Sequence, residues 1–243
     1  MRSRSRLINI LLLPLLLLCI FDTGTISAAA IDGQEPVREM ETDYATQFSV
    51  DYYENGSKLL TLANGQRFLV LPEGELQPQS IEPDIVILRQ PLRNIYLAAT
   101  AAMCLFDALD SLDTIRLSGT KEDGWYIENS KQAMREGKII YAGKYSEPDY
   151  ELLLENQCSL AVESQMIGHA SSVKDKLEEL GIPVLVDMSS SEPHPLGRTE
   201  WIRFYGALLD KEEEADDLFS RPAVGQFVID MPQIPVFVGN LFQ

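Results

Sequence analysis

Between Ile115 and Asp187 the chain alternates short apolar runs with helical stretches at a steady spacing, and few architectures accept that pattern. Ile115-Arg116-Leu117, Ile139-Ile140-Tyr141, Leu160-Ala161-Val162-Glu163 and Val184-Leu185-Val186-Asp187 read as strands. The intervening stretches from Tyr126 to Arg135, Asp149 to Asn156 and Ser172 to Leu180 read as helices, with Gly137 and Gly181 just past two of the ends and Pro148 opening the third. Strand and helix in alternation imply a parallel sheet covered on both faces, joined by right-handed crossovers. The expected fold class is α/β, a lobe built on a parallel sheet. The loops leaving the strands, Ser118 to Gly124, Ala142 to Glu147, Ser164 to Ala170 and Met188 to Arg198, then converge on the edge where open α/β sheets bind ligands.

Upstream the period changes to two. Phe48-Ser49-Val50-Asp51-Tyr52-Tyr53 alternates, Asn55-Gly56 turns, Lys58 to Leu62 returns, Asn64-Gly65 turns again and Gln66 to Leu71 supplies a third strand. This predicts an N-terminal β-meander. Ile85 to Leu88 is a short apolar run ended by Pro91, and Ile95 to Leu109 is apolar all round, the pattern of a well-buried helix. Downstream, Pro193 and Pro195 rigidify the approach to an amphipathic stretch that predicts one long helix from Thr199 to about Leu218.

The N-terminus bears on location. Arg2, Arg4 and Arg6 precede an apolar run from Leu7 to Phe21, and Ala28-Ala29-Ala30 offers an A-x-A cleavage site, so residues 1–30 read as a secretory signal. The run is shorter than the roughly 20 apolar residues of a membrane span. Cys19, after Leu16-Leu17-Leu18, is the alternative, a lipidated cysteine holding the protein at the membrane; Leu18 is larger than the residue normally found before one. Either way the expected location is extracytoplasmic. Loss of residues 1–30 leaves 17 basic and 36 acidic side chains, a formal charge of −19. A phosphate backbone demands a basic face, so nucleic acid is not expected as a partner. Cys104 and Cys158 are too few for a disulfide framework and read as small buried hydrophobes.

Four segments carry a family resemblance: Gly143-Lys144-Tyr145-Ser146-Glu147-Pro148-Asp149-Tyr150-Glu151-Leu152-Leu153, Leu160 to Ile167, Lys176-Leu177-Glu178-Glu179-Leu180-Gly181-Ile182-Pro183-Val184, and His194-Pro195-Leu196-Gly197-Arg198-Thr199-Glu200-Trp201-Ile202. In this order the chain resembles the extracytoplasmic solute-binding proteins of ABC importers for iron-siderophores, haem and cobalamin, over about Phe48 to Leu218. The resemblance implies two Rossmann-like lobes joined by a long helix, with the ligand between them. It divides the chain into a signal peptide (1–30), a linker (31–47), an N-terminal lobe (48–190), a proline-rich turn and interlobe helix (191–218) and an atypical tail (219–243). The family continues for more than a hundred residues past the helix, whereas this chain stops at Gln243. A truncated or frameshifted product lacking the second lobe is expected, the alternative being a compact tail of two strands. Without a second lobe, the helix's apolar side, including Ile202, Leu208 and Leu209, must pack back on the single lobe or lie exposed.

By the same resemblance, the cargo is a ferric siderophore, haem or cobalamin, met by Trp125, Tyr126, Tyr145, Met166, His169 and Arg198. Each has a plainer alternative: Trp125 and Tyr126 start a helix and pack on the lobe, His169 is a surface histidine, and Arg198 with Glu200 caps and braces the long helix. Docking to ABC permease subunits uses acidic residues in this family. Ala170-Ser171-Ser172-Val173 lacks one where relatives carry it, leaving Glu163 and Glu192, either of which could instead pair internally with Arg198 or Lys144. Only His169 and His194 are present, so no bare-metal site is expected, and a chelate whose iron is already wrapped needs neither protein metal ligands nor a cofactor. No Gly-x-Ser-x-Gly elbow, phosphate loop, His-Glu-x-x-His or zinc-type cysteine spacing occurs, so an enzyme is not expected. The reading is a monomeric substrate-binding component of such an importer, or the N-terminal half of one. A secreted α/β interaction module without its own cleft is the alternative.

Overall fold

The computed structural model describes residues 31–221; the signal sequence, Cys19 and most of the atypical tail lie outside them. Five strands form the first sheet in chain order: β1 (Arg38–Glu39), β2 (Phe48–Tyr52), β3 (Lys58–Leu62), β4 (Arg67–Leu71) and β5 (Ile85–Arg89). The first four pair antiparallel and β5 runs parallel to β4, so the meander expected from residues 48–71 is present and extended by a strand at each side. Its period of two divides the side chains cleanly. Phe48, Val50, Leu60, Phe68 and Val70 face the main core, and Leu59, Leu69 and Leu71 join Ile31, Tyr53 and Ile85 in a smaller cluster on the other face.

The second sheet is wholly parallel. Its strands in chain order are β6 (Ile95–Leu97), β7 (Ile115–Ser118), β8 (Ile140–Tyr141), β11 (Ala161–Ser164) and β12 (Val184–Asp187), and their spatial order is β12-β11-β6-β7-β8. The chain starts in the middle, steps outward through β7 and β8, then crosses back to build β11 and β12 on the other side of β6. That reversal is a topological switch point between β6 and β11. The remaining pair, β9 (Gly143–Lys144) and β10 (Glu147–Pro148), is a small antiparallel hairpin in the loop after β8.

The helices are α1 (Met103–Ala108), α2 (Glu128–Arg135), α3 (Tyr150–Glu155), α4 (Ser171–Glu179), α5 (Pro195–Leu209) and α6 (Glu212–Ser220). Two expectations change here. Ile95 to Leu109 is not one helix: Ile95, Tyr96 and Leu97 are a fully buried strand flanked by β11 and β7, and α1 begins only at Met103. An all-apolar run fits a central parallel strand as well as a buried helix, and tertiary pairing chose the strand. The single helix expected from Thr199 to Leu218 starts earlier, with Pro195 in its first turn and the His194 Nδ1 accepting from the Leu196 N–H at 3.1 Å, and it breaks at Asp210, which is left-handed with φ 61°.

The break has a local cause. Buried Lys58 donates to Asp210 Oδ1 at 3.0 Å and to the Ala207 carbonyl at 3.3 Å, and pairs with Glu212. Gly206 lets α6 fold back, since a Cβ there would sit 2.6 Å from that of Ala215. α5 itself runs between the sheets. Trp201 and Phe204 meet Phe48 of β2 at ring distances of 5.2 and 5.3 Å, and Tyr205 meets Phe106 of α1 at 5.1 Å. Ile202 and Leu208 are buried and Leu209 is half-buried, so the helix's apolar side packs back on the lobe rather than lying exposed.

Two buried carboxylates moor the segment before β2. Glu200 accepts from the backbone N–H groups of Asp43, Tyr44 and Ala45, each at 2.7 Å. Glu192 accepts from the Thr46 and Gln47 N–H groups at 2.9 and 3.0 Å and from the Trp201 indole at 2.9 Å. The expected linker therefore ends as an integral strap, and Glu200 braces residues 43–45 rather than capping a helix. Gly197 permits the close approach: a Cβ would lie 3.0 Å from the Tyr44 carbonyl oxygen.

Candidate functional site

Each parallel strand ends on the same edge, and the segments leaving them carry most of the side chains expected to meet a ligand. Residues 119–127 follow β7 and hold Trp125 and Tyr126, while residues 142–149 follow β8 and hold Tyr145 in the β9–β10 turn. A 3-10 turn, Gln165–Ala170, follows β11 and holds Met166 and His169. Residues 188–194 follow β12 and lead to Arg198 in the first turn of α5.

These side chains divide by exposure. Tyr126 is 74% exposed, just outside the N-terminus of α2, and Met166 is 49% exposed. His169 and Arg198 are exposed, and Tyr145 is half-buried against the core. Trp125 is not presented. It is buried, and its indole N–H is shared between Ser118 Oγ and the Thr120 carbonyl, both at 3.2 Å. It packs on the lobe, the plainer of its two readings, because the short turn Glu122–Gly124 folds it inward. Tyr141, the last residue of β8, was not singled out from sequence. It is 38% exposed, and the Lys121 ammonium lies 5.4 Å from its ring centre. Its signal was its place at the carboxyl end of a strand.

Hydrogen bonds hold the edge in shape. Tyr96 of β6 donates its hydroxyl to the Gly143 carbonyl at 3.0 Å, anchoring the hairpin over the sheet. Gly119 is tight against β6, where a Cβ would fall 2.8 Å from Ala98. Gln165 joins two loops: Oε1 accepts from Ser191 Oγ at 2.9 Å and Nε2 lies 3.1 Å from Met188 Sδ. Behind them Asp187 accepts from Tyr205 at 2.6 Å and from the Ser189 N–H at 3.0 Å. Burial raises the Asp187 carboxyl despite these bonds, and burial with the Asp187 charge raises the Tyr205 phenol.

The two carboxylates considered for permease docking lie in the interior. Glu192 is spent on residues 46, 47 and 201, and Glu163 is wholly buried with neither oxygen hydrogen-bonded. Neither offers a charge to a partner's surface, and neither pairs with Arg198 or Lys144. Lys144 instead faces Glu147 at 3.6 Å. Cys104 and Cys158 are free thiols, half-buried and buried, raised by burial to about 12 and about 11. Among the described residues no three of His, Cys, Asp and Glu group as metal ligands, and no helix is long and apolar enough to cross a membrane.

No protein-family model matches the chain. It is similar to two uncharacterized lipoproteins of Methanocaldococcus jannaschii, 26% identical over 201 residues and 29% over 173, covering 73% and 68% of this chain. Among solved structures it is similar to the periplasmic haem-binding protein HutB of Vibrio cholerae, with 20% identity and a TM-score of 0.42 over 55% of this chain and 47% of the other. Another is the petrobactin-binding protein YclQ of Bacillus subtilis, with 12% identity and a TM-score of 0.43 over 71% of this chain and 48% of the other. The chain spans 48% and 42% of the length of the two curated relatives it matches.

Proposed function

We propose that the chain is the N-terminal, ligand-receiving lobe of an extracytoplasmic solute-binding protein that serves an ABC importer of iron chelates, haem or cobalamin. The observation that carries this is the set of unburied Tyr126, Tyr141 and Met166 side chains on the carboxyl edge of a parallel sheet with a switch point between β6 and β11. Such an edge is where open α/β sheets receive ligands. Aromatic and thioether surfaces suit large conjugated or organic-wrapped cargo, because they give contact area at little entropic cost and without demanding charge. Lys121 and Arg198 add cations for the carboxylates that such chelates bear. The sequence resemblance from residue 48 to 218 supports the same reading. In it residues 191–218 lead towards a second lobe, and the protein is exported by residues 1–30 or held by a lipid on Cys19. The lipoprotein names of the two archaeal relatives agree with an extracytoplasmic place.

Titration with ferric catecholate and hydroxamate siderophores, haem and cyanocobalamin, followed by tryptophan emission, tests the reading. Trp125 lies beneath the edge, so energy transfer to a coloured ligand quenches it. Saturable quenching at micromolar or lower concentration by one of these, weakened in Y126A, supports the proposal. Flat titrations with all four, on protein shown to be folded, reject it in favour of an interaction module without a cleft.

A further inference from the structure

The outer edges of the two five-stranded sheets are not treated alike. β1 and β8 are two residues long, and both residues of β1, Arg38 and Glu39, are charged and exposed. β12 is longer, but its outward groups are taken: Gln66 Nε2 donates to the Val184 carbonyl at 2.6 Å and Gln66 Oε1 accepts from the Val186 N–H at 3.0 Å. Short strands, charges and covering side chains keep sheet edges from pairing with other chains. β5 lacks them along most of its length. It is the five-residue run Ile85-Val86-Ile87-Leu88-Arg89, and β4 alone pairs with it among the described strands.

One bond gives the direction of its free groups. The Gln90 N–H donates to the Leu71 carbonyl at 2.9 Å, and alternate residues of a parallel ladder bond to the same neighbour. Val86, Leu88 and Gln90 therefore bond to β4, and Ile85, Ile87 and Arg89 turn their backbone outward. The Ile85 N–H is given to the Glu82 carbonyl at 3.1 Å, whereas the Ile87 and Arg89 N–H groups have no partner among the described residues. Side chains leave the strand accessible too. Val86 is 37% exposed and lines a groove with Phe68, Ile182 and Pro183, and Arg89 is exposed.

Charge selects what can lie along this strand. Glu82 and Asp84 precede it and share a single guanidinium, that of Arg67, so this end keeps a net negative charge. The other end carries Arg89, whose side chain bonds the Glu75 carbonyl at 3.1 Å and no carboxylate among the described residues. A second β5 running antiparallel sets each acidic end beside the other's arginine, while a parallel copy sets like ends together. Antiparallel pairing also closes on itself through a two-fold axis, which stops growth at a dimer.

We propose that β5 is a self-association edge, along which a second copy of this chain adds antiparallel about a two-fold axis at Ile87. In that register Ile87 exchanges both backbone bonds with the partner's Ile87, the Arg89 N–H meets the carbonyl of the partner's Ile85, and Val86 lies beside the partner's Leu88. The first sheets of the two copies become one. Ile182 and Pro183, which share the groove with Val86, lie at the amino end of β12, so pairing here leaves the carboxyl edge of the second sheet open and does not depend on the ligand reading. A dimer then takes the place of the monomer expected from sequence.

Sedimentation equilibrium and hydrogen exchange of the chain from Ile31 to Gln243, over a concentration series, test this. The expected result is a monomer–dimer equilibrium in which exchange of the Ile87 and Arg89 amides slows as the dimer forms, while the Val86 and Leu88 amides, already bonded to β4, do not change. V86K, which puts a charge on the pairing edge, and R89E, which sets an acid beside the partner's acidic end, are expected to weaken association by roughly tenfold or more. I87P removes an outward N–H and no bond to β4, and is expected to abolish it. A monomer at every concentration, a dimer of unchanged strength in V86K and I87P, or Ile87 and Arg89 amides whose exchange ignores concentration overturns the proposal. In the last case, protection that disappears on deletion of residues 222–243 assigns the edge to the chain's own tail instead. If I87P does not fold, V86K and R89E, at exposed positions, decide the matter.

Discussion

The Trp201 indole donates to Glu192 Oε1 at 2.9 Å while the other oxygen of that carboxylate accepts from the Thr46 N–H at 2.9 Å. One side chain thus joins the core of α5 to the strap that leads into β2. Glu200, one helical position before Trp201, binds the three preceding strap amides. The two glutamates act as built-in anions for backbone donors that no strand or helix satisfies.

Removing either carboxylate therefore orphans buried N–H groups. E200A is expected to cost roughly 3–5 kcal/mol, as breaking a buried charge-assisted cluster does. E200Q, which keeps one acceptor oxygen, is expected to cost less. Urea denaturation followed by tryptophan fluorescence measures both, and an E200A midpoint equal to wild type excludes the strap as a stabilising element.

Glu163 predicts the pH dependence of stability. Its folded carboxyl is raised to about 8, so between the ordinary glutamate range and that value the folded state holds a proton that the unfolded chain has released. The stability fully present below the unfolded value is then lost as pH rises through about 8. E163Q removes this dependence and gains on the order of a few kcal/mol above pH 8 relative to wild type. Thermal melts from pH 5 to 9 test the sign: parallel profiles for the two proteins contradict it.

Gly206 sets the return of α6. G206A places a Cβ 2.6 Å from that of Ala215 and 3.0 Å from the Lys211 carbonyl oxygen, and overpacking of this kind costs about 1–3 kcal/mol. K58M deletes the group that ties Asp210, Glu212 and the Ala207 carbonyl together and is expected to free α6 from α5. Hydrogen exchange of residues 211–220 should rise in both variants, and unchanged protection refutes the assignment.

Exposure separates binding from stability at the sheet edge. Y126A and M166A are expected to shift stability by no more than about 0.5 kcal/mol while weakening any chelate that binds. W125F should do the reverse, leaving Ser118 Oγ and the Thr120 carbonyl without their indole donor at about 1–2 kcal/mol. A W125F variant of unchanged stability and lost affinity would restore Trp125 to the site.

What the sequence determined by itself was everything governed by local period. The two-residue alternation of residues 48–71 and the strand-helix alternation of residues 115–187 each carry their own geometry, and the structure reproduces them almost element for element. The carboxyl edge of the sheet was legible for the same reason, and with it the loops that hold Tyr126, Tyr145, Met166 and His169. Tertiary structure alone decided what depends on the far side of a contact. Ile95–Leu97 became a strand because β7 and β11 flank it, and the helix after His194 broke because Lys58, 152 residues away in sequence from Asp210, holds the turn. Whether Glu192 and Glu200 faced water or protein was likewise settled by partners remote in the chain, the backbone amides of residues 43–47, since burial and hydrogen-bond satisfaction belong to the pair and not to the residue.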